Sequence, residues 1–287
     1  MLAIPHVAAP IIATGMTEAI ADNYAARLYT QWINLHEAAA RSQLADTIAH
    51  KDINYYDAGW SEKGMRRWFE RLKSGITLDM ISSSFKPEKR GAFTATIDKF
   101  GSTANDATLY WLENGVERPV HFAQNSILLS RYEFARSRQR GSFKFRDVVA
   151  YVLSRHAAIR LIQRGGVHTV AELRQSIVNA WPRLSALYDF TRNNNYCAKE
   201  WHYPVRVSPD GPLLVAVISP LRGGFGGENA KDVSTGLGVR TFLHLEMAPA
   251  SIRGGILELD HFLAGNADKL AEESATFGRL LSAVSYP

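Results

Sequence analysis

Residues 153–177 read LSRHAAIRLIQRGGVHTVAELRQSI, and the architecture of the chain is predicted outward from them. The first half of this stretch consists mainly of helix-forming residues and places His156, Arg160 and Arg164 four positions apart. Residues at this spacing follow one another along one side of a helix. We therefore predict a helix from about Phe145 to Arg164. It carries a row of cationic or titratable side chains, called here the His156 stripe (His156, Arg160 and Arg164).

The same stretch contains signals for the ends of two helices. The glycine pair at 165–166 is typical of a helix C-terminus. Thr169 and Glu172 have the spacing of a capping box, which predicts a second helix up to about Trp181, where Pro182 stops or kinks it. The sequence thus indicates a compact helix pair. The apolar side predicted for its first helix consists of Val148, Val152, Ile159 and Ile162.

The His156 stripe lies in a strongly basic part of the chain. Residues 131–164 contain nine Lys or Arg residues but only two acids. Such an excess is typical of a surface that contacts phosphate groups. The alternative is that the basic residues do not bind phosphate. They then belong to a solvated loop and to a helix whose arginines reach water or pair with carboxylates. The candidate nucleic-acid-binding residues are Arg136, Arg138, Arg140, Lys144 and Arg146.

The part of the chain before this region has a helical pattern. Residues 17–49 are rich in Ala, Leu and polar helix formers, and residues 61–75 place an apolar side opposite a basic one. A basic helix side of this kind is more often solvated than bound to RNA. The polar segment Ser82–Gly91 contains Pro and Gly and indicates a break. We therefore divide the chain into a helical region for recognition or delivery, 1–83, and an α+β domain, 84–287, with its core at 145–247.

Strand patterns precede and follow the helix pair. The first group covers residues 92–100, 107–115 and 116–134, with a turn signal at Asn114-Gly115. The second covers residues 202–208, 213–219 and 237–246. The glycine-containing loop 220–236 lacks a GxGxxG pattern, and as a connection between strands it is interpreted as a flap. The predicted fold class is α+β: an N-terminal helical region followed by a helix pair packed on a small antiparallel β-sheet.

Composition limits the classes of protein to consider. The 287 residues are 46% hydrophobic and 21% charged, with a net charge of +5, which is typical of a globular chain. Cys197 is the single cysteine, so no internal disulfide framework exists, and a reducing compartment fits. We expect a cytoplasmic protein without a membrane span. Export by a route that needs no signal peptide is the alternative. Scattered histidines and the absence of HExxH and GxSxG motifs lead us to expect no metal and no cofactor.

The His156 stripe has the residue types needed to cleave a phosphodiester. Attack by a 2′-hydroxyl requires a base with a pKa near neutrality, and the ordinary pKa of histidine is about 6.5. Guanidinium groups such as those of Arg160 and Arg164 suit phosphate oxygens and stabilise their growing negative charge. Their charges also lower the pKa of His156 and favour a neutral base. Three aromatic residues are candidates for stacking on an unpaired base: Tyr196, Trp201 and Tyr203. The alternative is that their rings pack in the core.

The run LSRHAAIRLIQRGGVHTVAELRQSI, followed by the strand patterns DGPLLVAVI and VRTFL, resembles small ribonuclease toxin domains. These are the domains related to RelE and to the barnase, EndoU and colicin group, and the likeness covers residues 145–247. The resemblance implies metal-independent RNA cleavage through 2′-hydroxyl attack. It also implies that His156, Arg160, Arg164 and, on the last strand, Thr241 are site residues. The long glycine loop and about 140 additional N-terminal residues depart from the pattern.

The residues and the resemblance lead to two functions from different classes. The first is an RNA-cleaving toxin or effector that acts without a metal, with RNA as its substrate and a cognate antitoxin or immunity protein as a further partner. The second is a non-enzymatic nucleic-acid-binding or mobile-element accessory protein on a nuclease-like scaffold. Loss of growth arrest on His156→Ala substitution separates the two.

Overall fold

The computed structural model describes six α-helices and ten strands. The described residues are 18–40, 61–75, 80–88, 92–101, 107–113, 116–120, 126–136, 143–194, 198, 200–208, 210–225, 236–266 and 273–286. The helices are α1 Glu18–Ala40, α2 Glu62–Gly75, α3 Arg155–Gly165, α4 Val170–Asn194, α5 Arg253–Asn266 and α6 Ser274–Ala283. The strands are β1 Met80–Pro87, β2 Phe93–Gly101, β3 Ala107–Glu113, β4 Val116–Val120, β5 Ile127–Arg136, β6 Phe143–Leu153, β7 Glu200–Arg206, β8 Leu213–Phe225, β9 Gly236–His244 and β10 Ser285–Tyr286.

All ten strands belong to one sheet. Its main order is β1-β2-β5-β6-β9-β8-β3-β4, and neighbouring strands are antiparallel except for the short parallel pairing of β6 with β9. Strand β8 is long enough to pair with β7 through its first half and with β3 through its second half. The two-residue strand β10 pairs with β7. The prediction of an α+β fold is confirmed, and the sheet is larger than the sequence suggested.

Helices cover the sheet on both faces. Side chains from α1, α3 and α4 form the main core with those of the central strands, and α5 and α6 extend it beside β7. Helix α2 packs through Met65, Trp68 and Phe69 on a second apolar cluster over β2 and β5. Ile97 faces α2, whereas the neighbouring Asp98 accepts a hydrogen bond from Trp181 of α4. Helices α2 and α4 therefore lie on opposite faces.

The predicted helix from Phe145 to Arg164 is wrong in its first half. Residues 143–153 form strand β6, and helix α3 begins only at Arg155. Residues 149–153 are buried without interruption, as in a strand covered on both faces. A short apolar run of this kind has the same appearance in a buried helix, so its periodicity misled the prediction. Consequently Val148 and Val152 are not on the apolar side of α3, whereas Ile162 is buried there.

The predicted C-terminus of α3 and the capping box of α4 are confirmed, whereas the predicted end of α4 near Trp181 is wrong. Helix α3 ends at Gly165 and is followed by Gly166, whose φ of 67° is the left-handed conformation that glycine adopts readily. Thr169 Oγ1 accepts from the Glu172 N–H at 3.1 Å, and the Glu172 carboxylate accepts from the Thr169 N–H at 3.2 Å, which is the capping box. Helix α4 continues through Pro182 to Asn194, because burial on both sides of the proline stabilises it.

Most predicted strands are confirmed, while the predicted break at Ser82–Gly91 is wrong. Strand β1 occupies most of that segment and pairs with β2. The boundary between residues 83 and 84 falls inside β1, and the division of the chain at that point stays a prediction. The Asn114-Gly115 turn and residues 226–235 of the glycine loop lie outside the described residues. Strand β8 itself continues to Phe225.

Candidate functional site

Helix α3 lies beside the strand that carries Thr241. After β6 ends at Leu153, the Ser154 N–H donates to the Val239 carbonyl and Ser154 Oγ donates to the Arg240 carbonyl, both at 3.3 Å. Ser154 Oγ also accepts from the Ala157 N–H at 3.1 Å and caps the helix. Helix α3 thus replaces β6 as the neighbour of β9. The helical part, 155–165, thus packs on the sheet that contains β8 and β9, in agreement with the predicted packing of the helix pair on an antiparallel sheet.

Two of the three stripe residues bind other parts of the chain. The Arg164 guanidinium donates to the Phe242 carbonyl, at the point where β9 no longer has β6 as a partner. Arg160 Nη1 donates to Gln163 Oε1 at 2.8 Å, and Gln163 in turn donates to Asp22 of α1. Burial and the charge of Arg160 lower the pKa of Arg164. Arg164 therefore stabilises the edge of β9, and Arg160 helps through Gln163 to hold α1 against α3. Both side chains also contribute positive charge beside His156.

His156 is the exposed member of the stripe. It lies in the first turn of α3, two residues after the cap Ser154. Partial burial and the charges of Arg160 and Arg164 lower the pKa of the imidazole below its ordinary value. The imidazole is therefore neutral at pH 7 and able to accept a proton. This is the electrostatic arrangement that the spacing of the three residues predicts.

Thr241 contacts the same main-chain carbonyl as Arg164, that of Phe242, but makes no direct bond to the stripe. Its half-buried hydroxyl has a long contact to the Phe242 carbonyl at 3.5 Å, and no hydrogen bond of the described residues links it to His156, Arg160 or Arg164. Within the sheet, Thr241 is level with Val217 of β8, which is level with His202 of β7. Residues directly opposite in antiparallel pairs share a face of the sheet.

The candidate nucleic-acid-binding residues are not on one surface. Arg136 ends β5 on the α2 face, where its Nη1 lies 3.7 Å from Met65 Sδ. Exposed Arg146 is level with Glu133, whose carboxylate binds Arg192 of α4 on the opposite face. Lys144 belongs to β6, with its side chain outside the described part, and Arg138 and Arg140 lie outside the described residues.

A second titratable cluster, consisting of Glu200, His202 and Arg240, was not predicted. Arg240 Nη1 donates to Glu200 Oε2 at 3.1 Å, and His202 Nδ1 lies 3.8 Å from Glu200 Oε1. The His202 side chain is only 7% exposed, and its Nδ1 has no hydrogen-bond partner among the described residues. Burial lowers the pKa of His202, while the charge of Glu200 opposes this effect.

A weak signal for this cluster exists in the sequence. Strand alternation places Glu200 and His202 on the same face of β7. Arg240 is the extra residue of a β-bulge, since Val239 is level with Ile218 and Thr241 with Val217. The bulge brings Arg240 to the face that carries Glu200, which strand periodicity alone does not predict.

The described aromatic candidates for base stacking belong to the core. Trp201 and Tyr203 are almost fully buried, and Tyr203 Oη donates to the Arg183 carbonyl at 2.9 Å. Tyr196 lies outside the described residues. Of the two interpretations of these rings, core packing is therefore confirmed for Trp201 and Tyr203.

Fold and site together define the class of protein. It is a mixed α+β protein in which a short helix with an exposed histidine and two arginines lies beside a central strand. In comparisons with known proteins, no family model, no curated protein and no solved structure matches the chain. None of the helices in the described ranges is both long and apolar enough to cross a lipid bilayer.

Proposed function

We propose that this protein is a metal-independent ribonuclease of the toxin or effector kind, acting on RNA in the cytoplasm. The observation that carries the proposal is the exposed imidazole of His156, whose pKa is lowered beside two arginines. In the reaction, neutral His156 removes the proton of a 2′-hydroxyl. The resulting oxygen attacks the adjacent phosphorus, the bond to the 5′-oxygen breaks, and that oxygen gains a proton from water. The products are a 2′,3′-cyclic phosphate and a free 5′-hydroxyl.

Arg160 is the arginine that we assign to the phosphate. It is half-buried, and its Nη1 is engaged with Gln163. The planar guanidinium retains further N–H groups for phosphate oxygens, which gain negative charge in the transition state. Arg164 supports this geometry from the next turn through its bond to the Phe242 carbonyl. We therefore expect Arg164 to act mainly on the position of α3.

A non-enzymatic RNA-binding protein is the second candidate function. The observation that favours it is the engagement of both arginines with groups of the protein itself. A related alternative keeps catalysis but makes His202 the base, because Glu200 lies beside its imidazole. We favour His156 because RNA must reach the base, and the side chain of His202 is almost fully buried.

The test is RNA cleavage in excess chelator by the wild-type protein and by single variants, with the product ends analysed. His156→Gln is expected to lower the rate by a factor of ~10² to 10⁴, as is typical for loss of a general base. Arg160→Lys is expected to lower it roughly tenfold or more, since an ammonium cannot reproduce the forked contact. The expected product of the wild type ends in a 2′,3′-cyclic phosphate.

His168→Gln is the matched control. This exposed histidine follows the same helix, and its hydrogen bonds to Tyr24 and Glu172 use its main-chain atoms, so the variant is expected to cleave like the wild type. RNA binding without cleavage by the wild type supports the second candidate function. Full activity of His156→Gln together with an inactive His202→Gln identifies His202 as the base. Activity that requires an added metal ion contradicts the proposed mechanism.

A further inference from the structure

The exposed side of α2 carries three cations in a row, Lys63, Arg67 and Arg71, called here the α2 cationic row. Their side chains form no hydrogen bond or ion pair with the residues that the structure describes. Other cations of the same helix are paired: Arg66 lies 3.6 Å from Glu62, and Lys73 lies 3.0 Å from Glu70. Among the described residues, the positive charge of the row is therefore not neutralised by an acid.

The packing of α2 on the sheet fixes the direction of the cationic row, and repulsion between its like charges destabilises the helix. The opposite side of α2 is buried through Met65, Trp68 and Phe69, which pack edge-to-face on Phe134 or within the same cluster. This packing fixes the direction in which the cations point. Like charges four residues apart destabilise an isolated helix. The row of three cations therefore does not stabilise α2, and it presents its charge on the exposed side of the helix.

Two further cations of the sheet, Arg136 and Lys99, lie on the face that α2 covers. Arg136 contacts Met65 from the end of β5, and the Lys99 Nζ lies 4.6 Å above the ring of Tyr132 on the same face. Acids of the same two strands point the other way: Asp98 binds Arg131, and Glu133 binds Arg192. These acids are already paired with arginines on the α4 face and therefore do not neutralise the cations beside α2.

We propose that the α2 cationic row, with Arg136 and Lys99, is a docking surface for the phosphate backbone of single-stranded RNA. The inference rests on the proposed function in that RNA is the polymer bound. Successive cations of the row are about 6 Å apart along the helix axis, a spacing similar to that of phosphates along an extended strand. Lys and Arg contacts of this kind position a nucleic acid without reading its bases. The surface is separate from α3 and from the residues assigned to cleavage.

The experiment measures binding of a fluorescent 2′-O-methyl oligouridylate by anisotropy over a range of salt concentrations. This probe lacks the 2′-hydroxyl and cannot be cleaved by internal attack. Each lost phosphate contact on a single strand lowers the slope of log Kd against log salt by about 0.7. For the triple variant Lys63→Gln, Arg67→Gln, Arg71→Gln we therefore expect a slope smaller by about 2 than that of the wild type.

The double variant Arg66→Gln, Lys73→Gln is the matched control, because these cations of the same helix are already paired with acids. Its slope is expected to remain close to that of the wild type. An unchanged slope for the triple variant, with circular dichroism showing a folded protein, overturns the proposal. Equally strong competition by polyglutamate also overturns it and indicates an acidic protein partner. A wild type that binds the probe with the expected slope but leaves unmodified RNA intact contradicts only the proposed cleavage.

Discussion

The guanidinium of Arg164 illustrates how one residue serves structure beside a candidate site. Its bond to the Phe242 carbonyl satisfies a main-chain group at a sheet edge that β6 no longer covers. An unsatisfied carbonyl in such a position costs free energy comparable to a lost hydrogen bond. His156 and His202 differ in their exposure and in the charge of their neighbours. His156 is exposed beside cations, whereas His202 is buried beside a carboxylate and under the ring of Tyr286.

The lowered pKa of His202 predicts a dependence of stability on pH. Above about pH 6.5 the imidazole is neutral in both the folded and the unfolded chain. As the pH falls below that value, the unfolded chain binds the proton first, so the free energy of unfolding decreases. We expect His202→Gln to lose less stability than the wild type between about pH 7 and pH 5, measured by urea unfolding. Parallel losses in the two proteins would contradict a lowered pKa of His202.

At the scale of secondary-structure elements, a capping residue marks the start of each helix of the pair α3 and α4. Ser154 caps α3 and also donates to β9, so it joins the start of the helix to the sheet. Thr169 and Glu172 close the first turn of α4, and the carboxylate of Glu172 also accepts from the His168 N–H at 2.6 Å. These bonds satisfy donors that have no partner within the helix.

Removing either cap is expected to lower stability without changing the fold. For Thr169→Ala we expect a loss of about 1 kcal/mol in the free energy of unfolding, and for Ser154→Ala a loss of about 1 to 2 kcal/mol. The larger value for Ser154 reflects its additional bond to the Arg240 carbonyl. Urea unfolding measures both, with Thr169→Ser as the control that retains the cap. Equal stability of Thr169→Ala and the wild type would refute the role of the capping box.

Across the molecule, a buried ionic network joins the first strands of the chain to helix α4. Asp98 of β2 binds Arg131 of β5, Ser82 of β1 and Trp181 of α4. Arg131 also donates to Asp189 of α4 at 2.5 Å. Burial opposes the charge of Arg131, but the carboxylates of Asp98 and Asp189 outweigh this effect and raise its pKa above the ordinary value. The network therefore holds β1, β2 and β5 to the helix that covers them.

Substitution of Asp98 is expected to have a larger effect on stability than removal of either cap. Asp98→Ala leaves the buried guanidinium of Arg131 with one carboxylate, at an expected cost of about 3–5 kcal/mol. The control is Asp189→Asn, whose side chain is 48% exposed and retains a hydrogen-bonding oxygen, so that a smaller loss is expected. Denaturant unfolding of both variants measures the difference. A loss for Asp98→Ala no greater than that for Asp189→Asn would show that the network does not hold the sheet to α4.

Features that depend on neighbouring residues could be predicted from the amino-acid sequence alone. The end of α3 at the glycine pair 165–166, the capping box at 169–172 and the strands after α4 follow from local backbone sterics and side-chain bonds, and each was predicted. Features that depend on burial and distant partners required the folded chain. Residues 143–153 form a strand because the sheet buries both of their faces, and α4 passes Pro182 because the core covers it. The pairing of Glu200 with Arg240 joins residues 40 positions apart, and periodicity within one segment carries no information about such a contact.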